Sequence, residues 1–397
     1  MATNSKTQKG MLVTLVLVSM LNIMGGAAVA PALPAMTEAF PEAGETMVSL
    51  VLTLPPLAIA LSGLFIGALA DRVGKARTLT VSIVVFTIAG LSGLFLPSLE
   101  AILVSRFIMG IAIAGITTST GALVSECFDA QMRAKVFGWQ NAATGASILA
   151  LDTCGGFLSM RGWRAPFLVY SVGILFAILV LLFIREPQNG AAKGQVPLGE
   201  TDARGNSKVL QSAPMVVAIC LGGAFVTPTL SYLVPSKMPY LLAGFGVSPA
   251  VTGLFLGGFG IAGIVGSFVS APLQARMRRL WLVAACFAAL ACGCLTMTFA
   301  SNMWMVLVGV VFMGAGAGCM SPVLMSWLAS QSTAENSGKH MGAYATALNL
   351  GQFACSPLTG ATLAVFGTHQ AVFAVGACIG FAASCVSLAL DRRLGRQ

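Results

Sequence analysis

The segment of residues 67–79 reads GALADRVGKARTL and lies between two long apolar stretches. It carries four charged side chains within seven positions, from Asp71 to Arg77. Residues 47–70 before those charges and residues 81–99 after them contain no charged residue. Each flank is long enough to cross a bilayer, which requires about 20 apolar residues. The charged segment is therefore predicted to be a short loop between two membrane-spanning helices.

The same alternation of apolar runs and short polar segments extends along the whole chain of 397 residues. Of these residues 57% are hydrophobic and 9% are charged, whereas soluble domains have about 25% charged residues. This composition excludes a soluble enzyme, a secreted disulfide scaffold and a disordered protein. The runs are too long for the alternating ~10-residue strands of an outer-membrane barrel. We expect an all-α membrane protein that is not an enzyme, because the sequence has no phosphate-binding GxxxxGK[ST] loop and no cluster of catalytic residues.

Hydropathy predicts twelve spans and a central linker. The spans are residues 11–34, 47–70, 79–97, 101–126, 134–158, 166–184, 213–234, 249–272, 280–300, 303–328, 340–366 and 370–390. The predicted domains are an N-terminal six-helix bundle over 1–184, a cytoplasmic linker over 185–212 and a C-terminal six-helix bundle over 213–397. The linker is rich in Pro and Gly, which is typical of connecting segments.

Lys and Arg are distributed unequally between the two sides of the predicted membrane. If the N-terminus is cytoplasmic, 18 of the 22 basic residues fall in inner segments. The outer loops then hold Arg161, Arg164 and Lys237, and Arg106 is left inside a span. Cytoplasmic loops carry the excess of positive charge in membrane proteins. The protein is therefore predicted to lie in the plasma (inner) membrane with both termini in the cytoplasm. The net charge of +9 follows from this distribution of Lys and Arg, so we expect no nucleic-acid partner.

The two halves of the sequence repeat each other. A shift of 204 residues places Pro31 on Pro235, Gly110 on Gly314, Lys135 on Lys339, Gly138 on Gly342 and Gly156 on Gly360. Two parallel six-helix repeats, related by a pseudo-two-fold axis along the membrane normal, are an architecture of secondary transporters. We therefore expect alternating access between two bundles.

The loop over 67–79 resembles the signature GxLaDrxGrkxxl of the major facilitator superfamily. The resemblance implies an inner gate, formed by Gly67, Asp71, Arg72, Arg77, Glu126 and Asp129. In this hypothesis Asp71 faces the positive N-terminal end of a helix from the other half, and Arg77 pairs with an acid near the end of the fourth span. The alternative is that the basic residues of the loop only anchor the topology.

Two further segments are similar to motifs of twelve-span drug/proton antiporters. Gly25, Pro31 and Pro34 match a glycine followed by PxxP in the first helix, and the run from Arg106 to Gly110 matches RxxxG in the fourth. The fifth-helix motif gxxxGPxxGG is only partly present, because Leu151 and Asp152 replace its Gly and Pro. This departure weakens the antiporter assignment and introduces a carboxyl group into a span.

Arg106 and Asp152 are the predicted proton-coupling residues. Both lie roughly 13 Å below the outer surface at 1.5 Å per residue, so they are plausible partners. The alternatives are a purely structural ion pair and, for Arg106, an orientation towards the outer surface. Polar residues predicted to bind substrate are Asn22, Arg106, Gln140, Asn141, Tyr232, Asn349 and Gln352; any of them can instead form a hydrogen bond between helices.

The favoured function is proton-coupled efflux of a small lipophilic or cationic compound. The alternative is proton-coupled transport of a small organic anion, whose carboxylate would bind Arg106. The expected partners are a small-molecule substrate, protons and membrane lipid, and we expect a monomer. The sequence predicts no cofactor and no metal site.

Overall fold

The computed structural model describes residues 5–184, 186, 209–332 and 336–394, and within these ranges the chain is helical and has no strand. The helices are α1 (Ser5–Val18), α2 (Leu33–Ala39), α3 (Gly44–Val73), α4 (Lys75–Ser92), α5 (Leu99–Cys127), α6 (Ala130–Ser159), α7 (Val172–Phe183), α8 (Val209–Ser231), α9 (Leu233–Gly244), α10 (Pro249–Arg276), α11 (Arg279–Thr298), α12 (Met303–Ser330), α13 (Ser337–Phe366) and α14 (His369–Leu394). Three 3-10 segments cover Ser19–Asn22, Ala27–Ala32 and Ala165–Ser171.

Nine helical stretches in the described residues are long and apolar enough to cross a membrane. Three of the twelve predicted spans are not among them. The first predicted span is interrupted, as described below, while α6 and α13 are helices of 30 residues with more polar sequences. The all-helical, multi-span fold is thus present, and the count of twelve spans stays a prediction.

The first predicted span is a broken helix. Regular α-helix ends at Val18, and the turn over residues 23–26 separates two 3-10 segments. Two causes are local: each glycine of the Gly25–Gly26 pair disfavours helix by about 1 kcal/mol, and Pro31 has no N–H to donate. Because neighbouring helices cover this stretch, the interruption is compatible with a position inside a membrane.

The seventh span is longer than the sequence predicted. The helical stretch Pro214–Gly244 contains 31 residues, so the predicted outer loop over 235–248 is wrong over most of its length. Pro235 does not end the helix, since the N–H of Ser236 still donates to the carbonyl of Tyr232 at 3.1 Å. The correction moves Lys237 from an outer loop into a helix, where it is fully buried.

The chain divides into two compact units, Met1–Gln195 and Val196–Gln397. Each unit repeats one close contact between helices. A Cβ atom on Gly110 of α5 would lie 2.4 Å from the carbonyl oxygen of Pro55 on α3. A Cβ atom on Gly314 of α12 would lie 2.6 Å from the carbonyl oxygen of Phe259 on α10. Both partners are related by the 204-residue shift, so the repeat includes the glycine that lets two backbones approach.

Candidate functional site

Asp152 lies on α6 in the N-terminal unit and is 5% exposed. Its Oδ1 atom has no hydrogen-bond partner among the described residues. A buried, ionised carboxylate without a hydrogen bond or counter-charge is strongly disfavoured in an apolar bundle. A group in this position therefore has to hold a proton or find a partner in another state of the protein.

Helix α6 runs alongside the broken first segment and in the same direction. The Gln140 side chain donates to the carbonyl of Leu15 at 2.9 Å, and four residues further along each segment the Thr144 hydroxyl donates to the carbonyl of Ser19 at 3.5 Å. Gly155, three residues after Asp152, packs against Ala28. A Cβ atom on Gly155 would lie 2.1 Å from the carbonyl oxygen of Ala28.

These contacts fix the height of Asp152 relative to the first segment. The partners of the first two contacts are 125 positions apart in sequence, and the Ala28–Gly155 pair is separated by about the same distance. Asp152 is therefore level with the turn over residues 23–26. The carboxyl group and the break in the first helix lie at the same depth within this unit.

Arg106 lies on α5 of the same unit and is fully buried. Its guanidinium donates to the hydroxyl of Tyr170 at 2.9 Å and lies 3.5 Å from the carbonyl oxygen of Gly90. The guanidinium carbon lies 4.6 Å from the ring centroid of Phe167 and 4.8 Å from that of Tyr170. Two π faces and a hydroxyl therefore surround this cation, which is a favourable environment for a desolvated guanidinium.

The predicted pairing of Arg106 with Asp152 is wrong. No ion pair joins the two side chains in the part of the chain that the structure describes, because the Arg106 guanidinium contacts Tyr170, Phe167 and Gly90 instead. Arg106 is turned towards α4 and the 3-10 segment Ala165–Ser171, whereas Asp152 is on the side of α6 that packs against the first segment. The orientation of Arg106 towards the outer surface is also wrong, since the residue has no exposed area. In this structure Arg106 does not present its charge to a substrate carboxylate.

The cytoplasmic loop is organised around Gly74, which has φ +110° and separates α3 from α4. The carboxylate of Glu186 accepts from the backbone N–H groups of Lys75 at 2.7 Å and of Ala76 at 2.9 Å. A negative side chain is stabilising at a helix N-terminus because it satisfies free N–H groups and complements the helix dipole. Glu186 thus attaches the end of the sixth predicted span to the start of α4.

The ion pair that the sequence assigned to Arg77 is made by another residue. The ammonium group of Lys75 forms a short contact with the Glu126 carboxylate at the end of α5. Arg77 is exposed and forms no ion pair among the described residues, so its predicted pairing is wrong. The reason is the helical turn: Lys75 is the first residue of α4 and points towards α5, while Arg77 lies two positions further around the helix.

The remaining predicted gate residues have separate environments. Asp71 is 74% exposed, and its carboxylate lies 3.9 Å from the ammonium group of Lys75. Arg72 is exposed at the end of α3, and a Cβ atom on Gly67 would lie 3.6 Å from the Thr118 methyl group. Asp129 caps the N-terminus of α6 by accepting from the backbone N–H of Met132 at 2.8 Å.

The polar residues predicted to bind substrate differ in what they contact. The Gln140 side chain bonds to the first segment, as described above, and the Asn349 side chain donates to the carbonyl of Ala345 on its own helix at 2.8 Å. Asn22 accepts from the hydroxyl of Thr117 at 2.9 Å. The other three are Asn141, which is exposed, and Tyr232 and Gln352, which are half-buried.

Two residues with functional potential were not predicted from the sequence. Thr117 is exposed in the middle of α5. The sequence around it does not distinguish it from the neighbouring Thr118 and Thr120. Lys237 is fully buried, with its ammonium group 5.2 Å from the ring centroid of Tyr240. A signal for Lys237 was present, because apolar residues continue on both sides of it up to Leu242.

These features define a multi-pass helical membrane protein with an internal repeat and ionisable groups within its bundles. The family model of the Major Facilitator Superfamily matches residues 15–238 and 223–395. The chain belongs to this family and is a transporter.

Curated relatives of the chain include drug-resistance proteins. It is 27% identical over 293 residues to the tetracycline resistance protein, class C, of Escherichia coli, covering 72% of each chain. It is 24% identical over 353 residues to the class B protein of the same species, covering 85% of this chain and 84% of the relative.

Two solved transporter structures match the fold of this chain along nearly its whole length. A bacterial homologue of the human lysosomal transporter Spinster, inward-facing and occupied, matches with a TM-score of 0.77 at 17% identity, covering 98% of both chains. A D-xylose-proton symporter matches with a TM-score of 0.75 at 16% identity, covering 96% of this chain and 97% of that chain. At this identity these likenesses describe the fold alone.

Proposed function

We propose that this transporter exports a small lipophilic or cationic compound across the plasma (inner) membrane in exchange for protons. Its relatives include proteins named for tetracycline resistance, which supports export of a compound of that kind. In this proposal the chain acts as a monomer with twelve spans and both termini cytoplasmic.

The burial of Asp152, with one carboxylate oxygen unpartnered, is the observation that carries the proton-coupling part of the proposal. The carboxyl group holds a proton while it is enclosed in the bundle. It releases the proton when the bundle opens and water or a substrate cation stabilises the charged form. Arg106 is not part of this exchange, because its charge is already stabilised by Tyr170 and Phe167. In our proposal it fixes the packing of α5 instead.

The inner gate in this proposal consists of the loop over 67–79 and the acids near it. Lys75, Glu126 and Glu186 link the ends of α4, α5 and α7 within the N-terminal unit. Asp71 is largely exposed and is the residue free to respond when the gate opens and closes. In this gate Lys75, and not Arg77, pairs with Glu126. Asp71 keeps the role proposed from the sequence, in which it faces the N-terminal end of a helix from the other half.

The orientation can be tested with single cysteines in an otherwise cysteine-free protein. We expect an impermeant thiol reagent added to intact cells to label cysteine at position 42, between α2 and α3. It should not label cysteine at position 338, at the start of α13. The opposite pattern would reverse the orientation.

The proton-coupling role is tested by transport in proteoliposomes with an imposed pH gradient and tetracycline as the probe. Asp152→Asn should lose accumulation driven by the gradient while downhill exchange remains, because the amide cannot carry the proton. Asp152→Glu should retain part of the accumulation. Cys154→Ser, on an exposed position of the same helix, is the matched control and should behave like the unmodified protein.

Two results would contradict the proposal. Accumulation by Asp152→Asn at the unmodified rate would remove Asp152 as the proton carrier. Accumulation of a carboxylate such as benzoate, without transport of tetracycline, would favour organic-anion transport in place of drug export.

A further inference from the structure

Thr117 differs from the other threonines of α5 in its surroundings. It is exposed in the middle of a helix whose neighbouring positions 112–116 are all buried. Its Oγ1 atom lies 2.9 Å from Asn22 Oδ1 and 2.9 Å from the carbonyl oxygen of Ile113. Thr118 bonds only to the carbonyl of Ala114 on its own helix, at 2.8 Å. Thr117 is therefore the threonine of this pair that links α5 to the first segment.

Asn22 stands at the end of a 3-10 segment, directly before the turn over residues 23–26. Its side-chain oxygen accepts from Thr117, and its amide nitrogen has no hydrogen-bond partner among the residues that the structure describes. This amide therefore has two N–H donors available in a half-buried position. An apolar environment makes the absence of an acceptor unfavourable.

The break beside Asn22 adds to the polarity of this place. A discontinuous membrane helix interrupts the regular pattern of backbone hydrogen bonds, and such interruptions mark binding sites in transporters. Asp152 is level with the same break but is nearly enclosed, at 5% exposure. A proton can reach so closed a group more readily than an organic molecule can. Half-buried Asn22 and exposed Thr117 form a polar pair in this region that a larger ligand can contact.

We propose that Asn22 and Thr117 form a substrate subsite that binds carbonyl, enolate or phenolate oxygens of a lipophilic compound. The inference rests on the proposed function, because it assumes that such a compound is transported. The Asn22 amide donates to the substrate oxygen, and the Thr117 hydroxyl holds the amide in the orientation that makes this possible. The subsite selects oxygen-rich compounds over cations that cannot form hydrogen bonds.

The test compares two probes in the same everted membrane vesicles. Tetracycline carries several such oxygens, whereas tetraphenylphosphonium is a lipophilic cation without hydrogen-bonding groups. Thr117→Val should raise the KM for tetracycline about 3- to 10-fold, the loss expected for one hydrogen bond, and leave the KM for tetraphenylphosphonium unchanged. Asn22→Ala should act in the same direction. Thr117→Ser, which keeps the hydroxyl, should restore the tetracycline KM.

Thr118→Val is the matched control, because it removes the neighbouring hydroxyl without touching Asn22. An equal rise in KM for both probes in Thr117→Val would show a merely structural role and overturn the inference. An unchanged tetracycline KM in both Thr117→Val and Asn22→Ala would overturn it as well, with the proposed export function intact. Absence of transport of both probes by the unmodified protein would refute the proposed function, and this inference with it.

Discussion

The enclosure of Arg106 by aromatic side chains leads to a quantitative prediction about Tyr170. Replacing Tyr170 by Phe removes the hydroxyl that accepts from the guanidinium at 2.9 Å. The ring stays in place, 4.8 Å from the guanidinium carbon, so the cation–π contact is retained. The substitution therefore isolates the energy of one hydrogen bond to a buried cation.

Two ranges set the expected magnitude. Hydrogen bonds between membrane helices contribute about 0.6 kcal/mol on average, with a maximum near 1.7 kcal/mol. Hydrogen bonds to charged groups contribute about 1.5–3 kcal/mol in proteins generally. Tyr170 is fully buried and its partner is charged, so the value should lie where the ranges meet. We expect Tyr170→Phe to lower the free energy of unfolding by about 1–2 kcal/mol.

The assay is a double-mutant cycle with Tyr170→Phe, Arg106→Met and the double variant. Unfolding of the purified protein in mixed micelles by dodecyl sulfate, followed by far-ultraviolet circular dichroism, gives the four free energies. The coupling energy between the two sites should be about 1–2 kcal/mol. Tyr344→Phe is the matched control, because its hydroxyl donates to a neutral carbonyl, that of Ser321, at 3.4 Å, and it should cost less than about 0.6 kcal/mol.

A coupling energy below about 0.3 kcal/mol, within the usual error of additivity, would refute the reasoning. It would mean that the Arg106 charge is stabilised by something other than Tyr170. A large loss in Tyr344→Phe, equal to that in Tyr170→Phe, would show that the charge of the donor is not what matters.

Three other substitutions give distinct expectations. Glu186→Gln should weaken the cap of α4 by about 0.3–1 kcal/mol, seen as faster hydrogen exchange in the first turn of that helix; unchanged exchange would exclude the cap. Lys75→Gln should slow transport more than Arg77→Gln, because only Lys75 contacts Glu126; equal effects in flux assays would contradict this assignment. Gly110→Ala should reduce the yield of folded protein, since its Cβ would lie 2.4 Å from a carbonyl oxygen, whereas Gly121→Ala, with no atom within 4 Å, should not; size-exclusion profiles compare the two.

Nine of the twelve spans were predictable because they depend on local composition. The predicted loop over 67–79 is wrong in length: α3 continues to Val73 and α4 begins at Lys75, so Gly74 alone connects them. Runs of about 20 apolar residues must form helices in a membrane, since every backbone group needs an internal partner. The prediction is wrong at Lys237, because hydropathy ends the seventh span at residue 234. In the structure the helix continues past Pro235 to Gly244, so the charge lies inside it. A proline is a weaker end signal in a membrane helix than in a soluble one.

The sequence predicted that Arg106 and Asp152 lie inside helices, but not the directions of their side chains. The spacing along a helix gives height at 1.5 Å per residue, and the similar depths that this spacing gives for Arg106 and Asp152 stay a prediction. The direction of a side chain around a helix depends on which neighbours pack against each face, and one sequence does not give those neighbours. For the same reason the sequence predicted Arg77 as the partner of an acid near the end of α5, whereas the structure has Lys75 in contact with Glu126.

The buried charges of the N-terminal unit therefore fall into two physical classes. Arg106 has fixed neighbours that stabilise its charge in place, and a side chain held in that way contributes to a rigid packing of α4, α5 and the 3-10 segment. Asp152 has an oxygen without any hydrogen bond among the described residues, and it lies level with a break in the neighbouring segment. A group whose charged form is unfavourable in one state and favourable in another converts a change of structure into movement of a proton. The Arg106 Nε atom also lacks a hydrogen bond among the described residues, but its guanidinium contacts a hydroxyl and two aromatic rings. The Asp152 carboxyl has no comparable contact among those residues, so we propose the acid, and not the cation, as the group that transport uses.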